Sequence, residues 1–581
     1  MEDSSLTSIS MADIVSELKK RGYEIEQAIS TEGDITGITL DNNSLSILKN
    51  GSATITVSFT GSSEVMKYYA VVNGEKYLMS QNNSGIKISR EASKVDGSET
   101  KRTLSAAVSS GNSVTVGTIS GNTITINAGS TAGSSTITVI YGEFSQTCEV
   151  SVVIKPSKDA TADSKTTFST AYGKIDVIWL STDNKVLSSP ITPVLTSNKE
   201  SLTPVKYNTT STDWDATTSS DSSWYNYTNN QWANAKTANG SYFVWIPRFA
   251  YRITYYESET STEPTGYYDG YGMWKATDGT KKYDLDSGIK TVENNENLYI
   301  VHPAFETNLD NGGWSSELSG FWFAKFEMGG SATDLNSTYG TASLRNQTIG
   351  TQYTTARRAT YGYTGTKDTA DNNTSFMNSH VSKNSEWGAV AYLTHSSFGR
   401  NGTEITINSS SSYYRGGEAE KAYITNAAQS TTGNVYGIYD MSGGAYERTS
   451  FFNNTDSKGL FLKYSGWTTA TGLTTSSNST KYATKYNNPT NSTTGNKVIY
   501  AYGKVGDATK EVNTGGAYSE TTTTISKNWF SDDCWVGSSS VPFLNRGNGC
   551  AAGSHGGVFS SSYDAGGGAS DTSFRAVLCP L

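Results

Sequence analysis

The chain holds few side chains that could do covalent chemistry, and it spaces them poorly for it. His302, His380, His395 and His555 are its only histidines, and no two stand at metal-ligand spacing. The motifs that activate a serine, seat a catalytic zinc, cradle a phosphate or bind a dinucleotide (GxSxG, HExxH, GxxxxGK[ST], GxGxxG) are absent. Asp564-Ala-Gly-Gly-Gly-Ala-Ser has the glycines of a phosphate loop, but no helical pattern follows it, so it reads as a surface loop. Four cysteines, Cys148, Cys534, Cys550 and Cys579, are too few for a disulfide framework and none forms a CxxC pair. One bridge among Cys534, Cys550 and Cys579, for instance Cys534 with Cys579, is expected in an oxidising compartment. No catalytic residue is assigned, and the reading is that the chain is not an enzyme.

The stretch equipped for contact is the last one, about 530–581. Side chains that prefer burial, among them Trp535, Phe543, Phe559 and Phe574, are interrupted there by blocks of Ser, Gly, Ala, Asp, Asn, Tyr, His and Cys. From 535 to 573 there is no Glu, Gln, Lys or Met, although the rest of the chain uses all four. Asn codons randomised at their adenines give this alphabet: they reach Asn, Ser, Gly, Asp, Tyr, His, Cys, Ala and Thr, but not Lys, Glu, Gln, Met or Trp. Phe543, Phe559 and Phe574 are expected to be buried. Tyr563, His555, Asp564, Asn548, Ser554 and Asp571 are the expected ligand contacts, because Tyr gives area at low entropy cost and Ser, Asn and Asp give adaptable hydrogen bonds. Cys550 lies inside a free block and reads as a chance product of diversification.

This stretch resembles the variable region of proteins diversified by retroelements. Their pattern is a Trp, a Pro-aromatic-x-x-Arg-Gly run, a Gly-Val-Phe and a terminal Phe-Arg-x-Val-Leu. Here these are Trp535, Pro542-Phe543-Leu544-Asn545-Arg546-Gly547, Gly557-Val558-Phe559 and Phe574-Arg575-Ala576-Val577-Leu578. The alternative is an ordinary Gly/Ser-rich loop in a secreted β-rich domain.

These loops need a scaffold, and the composition says which kind. Only 17% of the 581 residues are charged, 11% are aromatic, and 36 are Tyr, so solubility rests on hydroxyls and amides, as in β-rich extracellular proteins. A net charge of -9 with no basic stripe argues against nucleic acid as a partner. No run of eighteen apolar residues exists, so no direct membrane span is expected. Met1-Glu-Asp-Ser-Ser is not a signal peptide, which implies a trimmed chain or another export route such as assembly into a virion.

Along the chain, 1–34 reads as a short amphipathic helix and N-terminal segment: Ser10 can cap, Ile14, Val15 and Leu18 share a face, and Gly22 can end it. From 35 to 155 the pattern turns to period-two strands separated by Gly, Asn and Ser turns. Their order resembles the bacterial immunoglobulin-like domain of group 2, with an insertion around 65–101. That likeness implies a β-sandwich used as a spacer or stalk. Residues 156–172 are polar and proline-containing, as in a linker. A second unit, 173–581, shows no further boundary. Its cluster around Trp224, Trp232 and Trp245 reads either as an aromatic core or as a carbohydrate platform. The stretch 269–297, rich in Asp, Gly and Tyr, reads as an extended loop or hairpin.

Three segments of this second unit resemble the sulfatase-modifying, formylglycine-generating enzyme family, which has a C-type-lectin-like fold. They are Phe321-Trp-Phe-Ala-Lys-Phe-Glu-Met, Ser385-Glu-Trp-Gly-Ala-Val-Ala-Tyr-Leu, whose Ser385 would cap a helix, and Gly433-Asn-Val-Tyr-Gly-Ile-Tyr-Asp-Met-Ser-Gly-Gly-Ala-Tyr-Glu-Arg. The fold class expected is therefore mixed α+β, β-rich: an immunoglobulin-like β-sandwich followed by a large C-type-lectin-like domain.

The departures decide function. The family oxidises substrate with a copper-bound cysteine pair before its closing Gly-Phe-Arg, and here Cys550 stands alone in that stretch, so no copper is expected. Gly444 and Arg448 replace an Asn and a Trp of the signature. The family's calcium ligands correspond to Asp440 and Glu447, so the resemblance implies a calcium there. The resulting expectation is a displayed protein on a bacterial cell surface or virion, binding a variable protein or glycan ligand. The alternatives are an enzyme of the formylglycine-generating type and a non-binding structural component of a virion or pilus.

Overall fold

The computed structural model describes residues 11–32, 36–48, 51–60, 63–72, 75–82, 85–90, 103–130, 133–153, 172–197, 200–258, 260–268, 273–274, 289–295, 297–308, 313–364, 376–463, 465–487, 503–509, 511–512 and 527–581. Strand outweighs helix, 38% against 14%, so the chain is β-rich. It divides into two compact units, Met1–Ser157 and Lys158–Leu581. Most of the expected linker lies outside the described residues.

In the first unit, alternation does what period two dictates: one side of each strand goes inward. Gly37–Leu40, Ser52–Thr60, Thr123–Ala128 and Val114–Ser120 make one sheet; Ser44–Leu48, Phe144–Val153, Gly133–Tyr141 and Leu104–Ser110 make another. Their inward residues, including Ile55, Val57, Ile124, Ile126, Ile137 and Val139, are fully buried in one aliphatic core.

A third sheet crosses the boundary expected at 34 and is built largely from the stretch expected as an insertion, 65–101. Ile25–Glu32 pairs antiparallel with Ser63–Val72, followed by Glu75–Asn82 and Gly85–Arg90. The helix Met11–Lys20 packs here, with Val15 and Leu18 against Ala70 and Met79. An amphipathic helix with a 10-residue span is marginal alone, and this sheet supplies its missing apolar partner. Ser10, the expected cap, lies outside the described residues.

The second unit is organised by two larger sheets. One runs Val186–Leu187, Tyr172–Leu180, Phe249–Tyr256, Gly266–Tyr268 and Met273–Trp274, with Asn297–Val301 also paired to Phe249–Tyr256. Within 269–297 the described strands are Met273–Trp274, paired with Gly266–Tyr268, and a hairpin half, Thr291–Asn294 against Asn297–Val301. The other runs Asp213–Ala216, Thr203–Asn208, Asn234–Lys236, Tyr242–Pro247, Gly320–Ala324, Ala576–Leu578 and His380–Val381. Trp224, Trp232, Trp245, Trp314, Trp322, Trp387 and Trp529 are all buried in the core between these elements, which decides most of the aromatic cluster in favour of core.

The helix Asn384–His395 is buried along its whole length, so it has no solvent face. Its start differs from the expectation: Ser385 lies inside it, and the Lys383 amide is accepted by Glu386 Oε2 at 2.8 Å.

Candidate ligand-binding face

The tail is a fixed frame carrying loops. Phe543–Arg546 lies between Ser561–Asp564 and Tyr446–Arg448, and Thr572–Phe574 runs parallel to Tyr446–Arg448 on its far side. The chain then crosses into the second large sheet, where Ala576–Leu578 sits between Gly320–Ala324 and His380–Val381. Phe543, Phe559 and Phe574 have no exposed surface, as expected.

Both framework arginines are buried clamps. Arg546 donates to the carbonyls of Ala508 (3.0 Å) and Val558 (3.3 Å), and Trp387 Nε1 donates to the same Val558 carbonyl at 2.8 Å. Arg575 donates to the carbonyls of Ala324 and Tyr439, both at 2.9 Å, and forks onto the Glu447 carboxylate. Buried guanidinium groups depend on such partners, so the frame tolerates little change.

The six expected contact residues divide. Ser554 and His555 are exposed on the turn Gly553–His555, and Tyr563 is 41% exposed with its ring edge-on to Trp535 at 6.2 Å. Asp571 is half-buried between the tail and the rest of the unit. Asn548 corrects the expectation: it is 5% exposed, holds φ +60, and its Nδ2 donates to Asp533 Oδ2 (3.2 Å) and the His555 carbonyl (3.1 Å). Asn adopts that backbone more readily than most residues, so it shapes the loop rather than its surface.

Asp564 is the second correction. Strand neighbours point to opposite faces, and with Tyr563 outward Asp564 turns inward, to Arg448 Nε at 2.9 Å and Asn545 Nδ2 at 3.1 Å. Arg448 is 1% exposed and also donates to the carbonyls of Gln347 and Gly567. Arg448 thus holds the base of the loop that follows Asp564.

Residues outside the tail complete the face, and sequence reading missed them. Arg345 stacks over Tyr413 at 4.2 Å and donates to the Ser570 carbonyl. The Tyr413 hydroxyl is held above its ordinary pKa first by burial and then by Cys550 and Asp571 beside it. Tyr446 takes the Asp571 carbonyl at 2.8 Å, and the Cys550 amide bonds the Gly444 carbonyl at 2.8 Å. Tyr446 had a signal, as the aromatic of the aromatic-Glu step; Arg345 and Tyr413 had none. Lys527 ties to Asp533 at 2.6 Å and to His555 Nδ1 at 2.7 Å.

Asp440 and Glu447 do not fit the calcium that the resemblance implied. Both are fully buried, but their oxygens already have partners. Asp440 accepts from Asn408 Nδ2 and the Gly416 amide, both at 2.9 Å, while Arg575 Nε reaches Glu447 Oε2 at 2.8 Å. Two buried cations face this cluster: Arg575, whose charge burial opposes and Glu447 more than restores, and Arg415, which faces Asp440 and Glu327. Glu327 completes the cluster; burial and the charges of Asp440 and Glu447 hold its carboxyl well above the usual range. A Cβ at Gly444 would collide with that carboxylate, and Gly444 also holds φ +72. Among the described residues no group of three or more His, Cys, Asp or Glu is arranged for a metal ion.

The expected bridge between Cys534 and Cys579 is absent, and all four cysteines are free. Cys534 packs with Phe451, Tyr486 and Leu544, whereas Cys579 belongs to the main core, so the two thiols sit in different clusters. His302, His380 and His395 are buried. The exposed groups of the face are hydroxyls, a phenol and an imidazole, which suit reversible contact.

No family model matches the chain, and no curated protein matches it. Solved structures that align with it are pieces of surface layer protein SbsC. Domains 4–9 match at 11% identity and a TM-score of 0.13, over 46% of this chain and 27% of that one. Domains 5–6 match at 10% and 0.13, over 50% and 91%; domains 1–6 match at 13% and 0.14, over 45% and 30%. The chain thus spans about a quarter of the first of these structures, and a likeness this slight carries no argument about fold or function.

Proposed function

We propose that this chain is a displayed binding protein of a bacterial surface or virion, in which an immunoglobulin-like stalk presents a lectin-like head whose C-terminal loops vary to change ligand. One observation carries the reading. Positions drawn from the restricted alphabet (Ser554, His555, Tyr563, Ala565, Gly568, Ser570) are exposed, and the framework phenylalanines between them are fully buried. Variation can then fall on the face without touching the frame. The ligand class is a protein or glycan on a cell surface.

The test begins in the genome. A reverse transcriptase gene near this coding sequence, with a near-copy of the tail differing only at adenines of the copy, is the expected finding. Differences spread evenly over all four bases, or falling on the codons of Phe543, Phe559 and Phe574, would contradict the reading.

A further inference from the structure

A cleft of about 500 Å³ opens in the second unit, and none of its walls comes from the tail. Its floor is Trp179, 4% exposed, edge-on to Tyr227 at 5.4 Å and tilted against Phe398 at 4.5 Å. Its walls include Val186, 42% exposed, with Leu187 and the half-buried Tyr225. Its rim carries Ser188, Asn226, Thr228 and Asn294. Among the described residues that line it, none is charged.

The cleft is rigid before anything binds. The Tyr227 hydroxyl donates to the Trp245 carbonyl at 2.6 Å, and Trp232 Nε1 donates to the Phe398 carbonyl at 2.6 Å, so the floor is tied to the core. The Tyr225 ring is set edge-on against Trp224 at 5.2 Å and Tyr227 at 5.9 Å. The side chains of Thr228, Asn294 and Ser188 make no hydrogen bond to the protein among the described residues. An aromatic floor, an apolar wall and a rim of hydroxyls and amides, of which only Asn226 is engaged, with the Asn229 amide, form the polarity pattern of a pyranose, whose C–H face is apolar and whose edge donates and accepts. The volume falls within the ordinary range for small-molecule sites.

We propose that this cleft binds a short neutral saccharide. An acyl chain would leave the amide and hydroxyl rim unpaired. An acidic sugar or a nucleotide would find no cation: the larger cleft of about 760 Å³ carries Arg357 and Arg358, and this one has no counterpart to them. The site is independent of the tail, so it gives the head a fixed ligand beside the variable one.

Saturation-transfer NMR on the full chain tests this, with methyl glycosides of glucose, galactose, mannose and N-acetylglucosamine, their disaccharides, and glucuronate as the acidic control. At least one neutral glycoside should receive saturation and glucuronate should not. Tyr225→Ala, Asn294→Ala and Thr228→Val should each weaken binding by about tenfold, as loss of a ring face or a ligand hydrogen bond does. Asn294→Ala and Thr228→Val change only the rim, so they remain informative if Tyr225→Ala does not fold. A combined exchange of Ser554, His555 and Tyr563 should leave the signal unchanged, which separates this site from the tail. Transfer to no neutral glycoside, equal transfer to glucuronate, or full binding in both rim variants would overturn the assignment.

Discussion

Two sets of residues interleaved in one short stretch have opposite fates. Phe543, Phe559 and Phe574 have no exposed surface, and Arg546 and Arg575 are wholly buried on fixed partners, whereas Ser554, His555 and Tyr563 face solvent. The frame pairs across two sheets and the loops leave it between strands. Tolerance to change is therefore a property of position in the pairing pattern, and polarity alone does not reveal it. Asn548 and Asp564 are polar, belong to the same alphabet and yet sit with the frame.

The largest break in the comparison should come from Arg575→Ala. It removes both bonds to Glu447 and both carbonyl contacts, leaving Glu447 buried without its bonded cation, and should cost about 5 kcal/mol or prevent folding. Expression and thermal unfolding measure it. Next come Phe559→Ala and Phe574→Ala, each expected to lose about 3 to 5 kcal/mol in denaturant titration. A loss under about 1 kcal/mol at either would place that ring outside a packed core.

A third effect lies in the core behind the frame. Glu511 accepts from Tyr251 at 2.7 Å, Tyr392 at 2.8 Å and the Gly506 amide at 2.8 Å, and burial, reinforced by Asp507, pushes its carboxyl up to about 7. Its folded value lies above the unfolded one. The stability it contributes is thus fully present below the usual carboxylate range and is lost as pH rises through about 7. His302 works the other way: burial lowers it to about 3, so its contribution is complete above its ordinary value and lost as pH falls. Glu511→Gln should therefore flatten the decline in melting temperature between the usual carboxylate range and about pH 7, and an unchanged decline would locate its cause elsewhere.

Asp564→Ala should cost about 2 kcal/mol, because Arg448 is left buried without its carboxylate, on the carbonyls of Gln347 and Gly567 alone. If Asp564→Asn recovers most of that loss, the hydrogen bonds matter more than the charge.

Much of this was legible in the sequence. The frame phenylalanines declare themselves as apolar residues in a polar stretch, and the strands of the first unit declare themselves by alternation. Ile25–Glu32 was missed because its partner Ser63–Val72 lies across three other strands in the chain. Asp564 was misread because its partner Arg448 is 116 residues away and its own sequence neighbours say nothing of it. Asp440 and Glu447 carried the residue types of a calcium site, and only the fold shows that Arg575 already stands between them and a metal. Arg345 and Tyr413 join the face through tertiary contact alone, with no local pattern to mark them.

The smallest expected effect is also the sharpest test. Ser554, His555 and Tyr563 should be exchanged together, for other residues of the same alphabet, with Asp564 and Asn548 left in place. Surface exchanges of this kind usually stay within about 0.5 kcal/mol each, so the melting temperature should barely move while the bound ligand changes. A large fall in melting temperature, or an unaltered ligand, would show that these positions belong to the scaffold and that the face is not where this protein binds.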